Sequence, residues 1–342
     1  MRHSTILCAA MAAILSTASC SKEPQNGNIP ANDGKKHVYA AGHYYSNTDS
    51  RYHACYWVDG VRTDLKDKDG NQTLAENIHV DEKGNVYVFG VNGSYTKACY
   101  WKNGVQTILG QYEESGASAG SVIFSGDHMI IGGRDNAKAC VWIDGKKIPV
   151  CTEKWSSVNS MAMTDEGLVC EGSLTTDLTN FFNRKWVLKT LDSEPDSESS
   201  TLSSTRIANK LLWGGSTLYA MASDGIYDYY GNSRILNASG WKLNDFAIKE
   251  DGTVISVGMD HDFKGILFEN GTKSNKYKLD GFSYSCFNAV ATDGNDIYVL
   301  GNMQENSAAD VTGYVIGPDL IPVVLPFPEN TNSHTTISIT VR

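Results

Sequence analysis

The phrase His53-Ala54-Cys55-Tyr56-Trp57-Val58-Asp59-Gly60 returns as Ala98-Cys99-Tyr100-Trp101-Lys102-Asn103-Gly104, and again as Ala139-Cys140-Val141-Trp142-Ile143-Asp144-Gly145. A period of about 43 residues restricts the chain to a closed ring or a linear stack of like units, because one unit cannot bury its own apolar face. Residues that return with the repeat are therefore read as architecture before they are read as chemistry.

Each unit has two anchors. One is an apolar strand ending in Gly: Val38-Tyr-Ala-Ala-Gly42, Val86-Tyr-Val-Phe-Gly90, Met129-Ile-Ile-Gly132, Leu168-Val-Cys-Glu-Gly172, Val254-Ile-Ser-Val-Gly258 and Ile297-Tyr-Val-Leu-Gly301. β-Branched and aromatic residues between turn formers favour strand over helix. The other anchor is the Cys-Tyr-Trp strand, running into Asp59-Gly60, Asn103-Gly104, Asp144-Gly145 or Asn270-Gly271. Such pairs suit type I′ hairpins, which need positive φ at both positions. An alternating segment precedes each Gly-ended strand and a short strand follows each hairpin, so one unit is a four-stranded meander. That is a propeller blade.

Gly-ended strands start near residues 38, 86, 129, 168, 218, 254 and 297, which gives seven blades. The chain enters at a second strand and ends on an orphan first strand, Thr336-Ile-Ser-Ile-Thr-Val341. The expected fold is an all-β, seven-bladed β-propeller closed by the C-terminal strand, with residues 336–341 beside 37–42. Such closure leaves no open sheet edge in that joint.

The stretch from His53 to Leu65 resembles the bacterial extracellular HAF-type repeat, with Cys55 in place of Phe. That resemblance implies an exported propeller and carries no catalytic residues. Residues 1–19 look like a signal peptide, with Arg2 and His3, an apolar run from Ile6 to Leu15, and Ser16-Thr17-Ala18-Ser19 before Cys20. Small residues ahead of a Cys resemble the bacterial lipobox, although Thr17 stands where that motif has Leu. Cys20 is the expected lipidation site. Ser21-Lys22-Glu23 resembles the export tag of Bacteroidetes surface lipoproteins, which implies an outer-membrane, lipid-anchored, cell-surface location. Residues 20–36 then read as a flexible tether, and 37–342 as the propeller.

Removing residues 1–19 takes away Arg2 alone, so 28 basic residues face 39 acidic ones and the net charge falls from -10 to -11. That balance argues against nucleic acid as a partner. Cys55, Cys99 and Cys140 occupy one position in successive units and cannot readily pair; Cys151, Cys170 and Cys286 leave room for one disulfide. No Cys/His spacing marks a metal, and no cofactor motif occurs.

Trp57, Trp101 and Trp142 read as packing between blades. No nucleophile elbow, sialidase-type Asp box or zinc motif is present, so no catalytic residue is assigned. The turns within each hairpin are short, while connections between second and third strands and between blades are long and varied, and these share one face. Function concentrates on such loops. Tyr44, Tyr45, Tyr112, Trp155, Trp241 and Tyr284 are the candidate ligand contacts, with gap-filling between blades as the plain alternative for Trp155, Trp241, Tyr44 and Tyr45. The expectation is a non-enzymatic binding protein. It would capture a glycan or vitamin-like nutrient, or a protein partner such as an outer-membrane transporter. The alternative is a polysaccharide-active lyase or hydrolase, which clustered His, Tyr and Arg at the channel mouth would mark.

Overall fold

The computed structural model describes residues 34–93, 97–111, 117–175, 181–199, 208–231, 233–279, 281–307 and 309–342. Seven four-stranded antiparallel sheets form the blades, and no helix occurs among the described residues. Blade 1 contains β1 (Val38–Ser46), β2 (Arg51–Val58) and β3 (Val61–Leu65), with β28 (Thr331–Val341) as its inner strand. Blade 2 runs from β4 (Thr73–Val80) through β5 (Val86–Asn92) and β6 (Lys97–Lys102) to β7 (Val105–Gln111). Blade 3 comprises β8 (Ser118–Ser125), β9 (His128–Asp135), β10 (Lys138–Ile143) and β11 (Lys146–Pro149). Blade 4 comprises β12 (Ser156–Thr164), β13 (Gly167–Thr175), β14 (Phe181–Leu188) and β15 (Asp196–Ser199). In blade 5 the strands are β16 (Lys210–Trp213), β17 (Leu218–Ala222), β18 (Gly225–Asp228) and β19 (Arg234–Asn237). Blade 6 holds β20 (Lys242–Ile248), β21 (Val254–Met259), β22 (Gly265–Glu269) and β23 (Thr272–Ser274). Blade 7 holds β24 (Tyr284–Asp293), β25 (Asp296–Gln304), β26 (Thr312–Ile316) and β27 (Pro322–Leu325).

The closure is where the termini placed it, and longer. Val38 pairs with Val341 and Ala40 with Ile339, and the ladder continues to Ser46 opposite Thr331. His37 and Arg342 exchange two further backbone hydrogen bonds, of 2.6 and 3.0 Å.

The recurring Asp/Asn-Gly pair has a second use beyond its turn. Asp59, Asn103, Asp144 and Asn270 have φ between 46 and 51° and are followed by glycines at 78–83°. Each side chain also accepts an N–H at the start of its second strand, from Val38, Val86, Met129 and Val254, at 2.9 Å. In three of the blades the residue before that donor fills the remaining valence. Where it is His37 or His128 the turn carries Asp, and the pair meets at 2.6 Å; where it is Asn85 the turn carries Asn103, at 2.9 Å. Donor and acceptor inventories match in each of these blades.

The Gly that ends each apolar strand marks a bulge in the neighbouring inner strand. Register shifts lie between Ala75 and Asn77, Ala119 and Ser121, Val158 and Ser160, Leu243 and Asp245, and Phe287 and Ala289. The bulge thrusts a carbonyl at the facing residue. A Cβ at Gly90 would overlap the oxygen of Leu74, and one at Gly258 that of Lys242. In blade 3 it is Gly133 that faces the bulge, one residue later than the sequence pattern suggested; Gly132 packs against Met161 and Val158 of blade 4.

Seams between blades carry the core. Trp57, Trp101, Trp142 and Trp186 are fully buried at equivalent positions, opposite Ala40, Val88, Ile131 and Cys170. Blade 4 therefore keeps the tryptophan although the rest of its repeat phrase has drifted. Cys55, Cys99, Cys140, Cys151, Cys170 and Cys286 are free thiols, so the disulfide left open above does not form among them.

Candidate functional site

Hairpin turns between first and second strands and between third and fourth strands lie on one face of the ring. Starts of inner strands and ends of second strands lie on the other, and the long connections gather there. Of the six candidate contacts, Tyr112 falls outside the described residues, as does the candidate lipidation site Cys20. The other five all belong to the long-loop face but do not converge on one site.

Tyr44 requires a correction. β1 runs to Ser46, so Tyr44 is a strand residue and not a loop tip, and it is only 6% exposed. Its ring stacks on His53 at 5.4 Å, meets Phe327 edge-on at 6.2 Å and lies 5.9 Å beneath the Arg62 guanidinium. Burial, aided by the nearby Asp64 charge, pushes its hydroxyl far above the ordinary range. Tyr44 plugs the seam between blades 7 and 1. Tyr45, one residue on, is half-buried against Tyr52 at 5.2 Å.

Trp155 precedes β12 with φ of 61° and is 41% exposed, isolated from the other candidates. Trp241 leads into β20 and packs on Phe268 at 4.9 Å. It lines an apolar pocket of about 400 Å³ with Met259, His261 and Phe263. Phe263 is the residue sequence reasoning missed. It is 58% exposed and has φ of 57°, a conformation that costs a bulky side chain energy. The Asp260 carboxylate accepts the N–H groups of Asp262 and Lys264, while the Phe263 carbonyl accepts the N–H of Ser285. This tight loop holds the ring out beside Trp241.

Two further pockets lie on this face. One, of about 260 Å³, lies between blades 6 and 7 and shares Asp260 with the first. The other, of about 350 Å³, is lined by Tyr284, Asn288, Asn302, Gln304 and His334. Burial raises the Tyr284 hydroxyl to about 12, so it stays a neutral donor. His334 is fixed by Val311 O and the Thr331 hydroxyl, both at 2.7 Å, and stacks on Phe327 at 4.2 Å.

Three titratable groups belong to blades 1, 2 and 3. Burial lowers His43 to about 4 and lifts Glu76 to about 7, the latter opposed by Arg134. His43 Nδ1, Glu76 Oε2 and Arg134 Nε are buried without a hydrogen-bond partner among the described residues. His43 also meets Tyr52 edge-on at 5.8 Å. No ion pair joins Glu76 to Arg134 among the described residues. No group of three or more His, Cys, Asp or Glu there could hold a metal ion. A carboxyl raised in the folded state contributes its full stability below its ordinary value near 4.5 and loses it as pH climbs through about 7. Glu76→Gln should therefore melt like wild type at pH 5 and above it at pH 8, by on the order of 2 kcal/mol. Parallel melting curves at both pH values would count against a neutral, buried Glu76.

No protein-family model matches the chain, and no curated protein matches it either. Solved structures do share its fold. A puromycin hydrolase superposes with a TM-score of 0.55 at 8% identity, over 85% of this chain and 54% of the hydrolase. The chain thus spans about half the length of that protein. A candidate 6-phosphogluconolactonase from Bacteroides uniformis superposes with a TM-score of 0.51 at 14% identity, over 90% of this chain and 99% of its own. At such identities the likeness is one of fold alone.

Proposed function

We propose that this propeller is a non-enzymatic binding lipoprotein of the outer-membrane surface, capturing its ligand on the long-loop face. The observation that carries the proposal is the pair of pockets sharing Asp260, the first beside a Phe263 ring held outward at a conformational cost, with a third pocket between blades 7 and 1 on the same face. Aromatic faces, amides and ammonium groups line them, and these groups recognise and orient. A glycan fits this equipment best; a protein partner such as a transporter would use the same exposed aromatics as anchors.

Affinity electrophoresis in gels cast with soluble polysaccharides tests the reading. Wild type should be retarded by at least one of them, and Trp241→Ala and Phe263→Ala should each lose that retardation about tenfold, since a buried aromatic contact supplies a kilocalorie or more. Melting should move little for Phe263→Ala. Retardation that survives both substitutions would remove the pocket from the site. Release of reducing ends or unsaturated sugars would replace the binding reading with the polysaccharide-active alternative, for which the His43, Glu76 and Arg134 groups would be the place to look.

The anchor has its own test. Acyl chains on Cys20 would supply membrane attachment, and no helix among the described residues is long and apolar enough to cross a bilayer. Cys20→Ala should move the protein from the membrane pellet to the soluble fraction or stall its processing. A processed Cys20→Ala protein still in the pellet would refute lipidation.

A further inference from the structure

Three lysines fall within six residues at Lys273-Ser-Asn-Lys276-Tyr-Lys278, in a chain whose formal net charge is -10. The fold carries this segment from β23 across the long-loop face into blade 7. There Lys273 and Lys278 join Lys264 from the neighbouring loop around the pocket of about 260 Å³, with Tyr277 and Ser285. Among the described residues, three lysines and one acidic residue, Asp260, line it.

That carboxylate is already committed. Its Oδ1 accepts backbone N–H groups at 3.1 and 2.9 Å, and its Oδ2 stands 3.6 Å from the Lys273 ammonium. Lys264 is aimed by the carbonyl of Ser283 at 3.2 Å and by that of Phe282, which orients its charge without cancelling it. Lys278 is exposed at the rim. The described lining therefore keeps a positive excess, and positive groups converging on a concave site favour an anion. Its neighbour on the other side of Asp260 is the apolar pocket of Trp241 and Phe263. A ligand spanning both must offer a face that packs on aromatic rings and, beside it, a negative group.

We infer that the long-loop face binds an anionic saccharide, with one ring against Trp241 and Phe263 and the carboxylate or sulfate of an adjacent ring among Lys264, Lys273 and Lys278. The inference rests on the capture reading above and specifies its ligand. A long polyanion is disfavoured by the chain's overall negative charge. Short saccharides with spaced charges are not.

Calorimetric titration with three tetrasaccharide probes decides it: a galacturonate tetramer, its carboxyl-reduced neutral counterpart, and a sulfated galactose tetramer. Wild type should bind one of the charged probes at least tenfold more tightly than the neutral one, and the better of the two identifies the anion. The Lys273→Ala/Lys278→Ala double variant, whose substituted side chains are exposed, should melt like wild type, bind the neutral probe unchanged and lose the tenfold gap. Equal affinity for all three probes overturns the anionic assignment and leaves ligand capture standing. A gap that survives the double substitution also overturns it, because the selectivity then lies elsewhere. Failure of wild type to bind any of the probes overturns it too; the capture reading falls only if the polysaccharide gels also show no retardation.

Discussion

Deleting residues 335–342 should abolish the cooperative melting transition or lower its midpoint by more than ten degrees, well beyond the few degrees a typical single substitution produces. The deletion removes most of the β28 ladder, including the pairs from Thr335 opposite His43 to Val341 opposite Val38. It also unlaces both neighbouring seams. The Asn288 amide donates to Thr336 O at 2.8 Å from blade 7, and Ser338 donates to Asn77 at 3.0 Å in blade 2. Asn77 Oδ1 would lose the Ser338 donor, at a cost of about 1–3 kcal/mol if water cannot reach it. β1 would gain an exposed edge, a known route to aggregation. Scanning calorimetry and light scattering measure both effects. A truncated protein that melts within a few degrees of full length would show that the ring does not depend on its closing strand.

Trp57→Ala, Trp101→Ala and Trp142→Ala should each cost on the order of 3–5 kcal/mol in urea unfolding, because all three rings are wholly buried between blades. Their conservative variants should separate. Trp57 donates its indole N–H to Pro326 O at 3.1 Å and Trp101 to Lys66 O at 2.9 Å, whereas the Trp142 N–H has no partner among the described residues. Replacement by Phe takes the indole donor from Lys66 O at 101 and leaves Pro326 O only Arg62, at 3.4 Å, at 57, and should cost about 1–2 kcal/mol more than at 142. Equal losses for all three Phe variants would mean that the indole hydrogen bonds add nothing to the seams.

Blade count, strand order and closure were legible because each depends on local signals that repeat. Asx-Gly turns, alternating strands and a returning tryptophan report the same period independently. The Asp59–His37 and Asn103–Asn85 clamps were hidden, since they join residues 22 and 18 apart whose pairing appears only once the second and third strands align. In blade 3 the sequence pattern stops at Gly132, one residue short of the Gly133 that faces the bulge, because two consecutive glycines offer no side chain to mark the register. The site was far less legible. Tyr44 looked like a loop residue because nothing in Tyr44-Tyr45-Ser46 announces where a strand stops, and β-propensity continues through it. Phe263 gave no signal, because its exposure follows from a left-handed backbone that phenylalanine rarely adopts. The lysine-lined pocket is built from two loops that meet only across adjacent blades.

The placement of β1 bears on how the molecule would carry a load. Its first residue lies at the short-turn face, where Lys36 is pinned to Asp293 at 2.6 Å and Asp296 at 3.3 Å. A pull on the segment before it runs along the strand axis. β1 is flanked on both sides, by β28 and β2, with eight residue pairs in each ladder. Such a pull stretches both ladders in shear, so their hydrogen bonds resist together instead of breaking singly as at a peeled edge. On the proposed Cys20 anchor, the same direction of pull would leave the long-loop face pointing away from the attachment, with its pockets clear of the loaded strand ends.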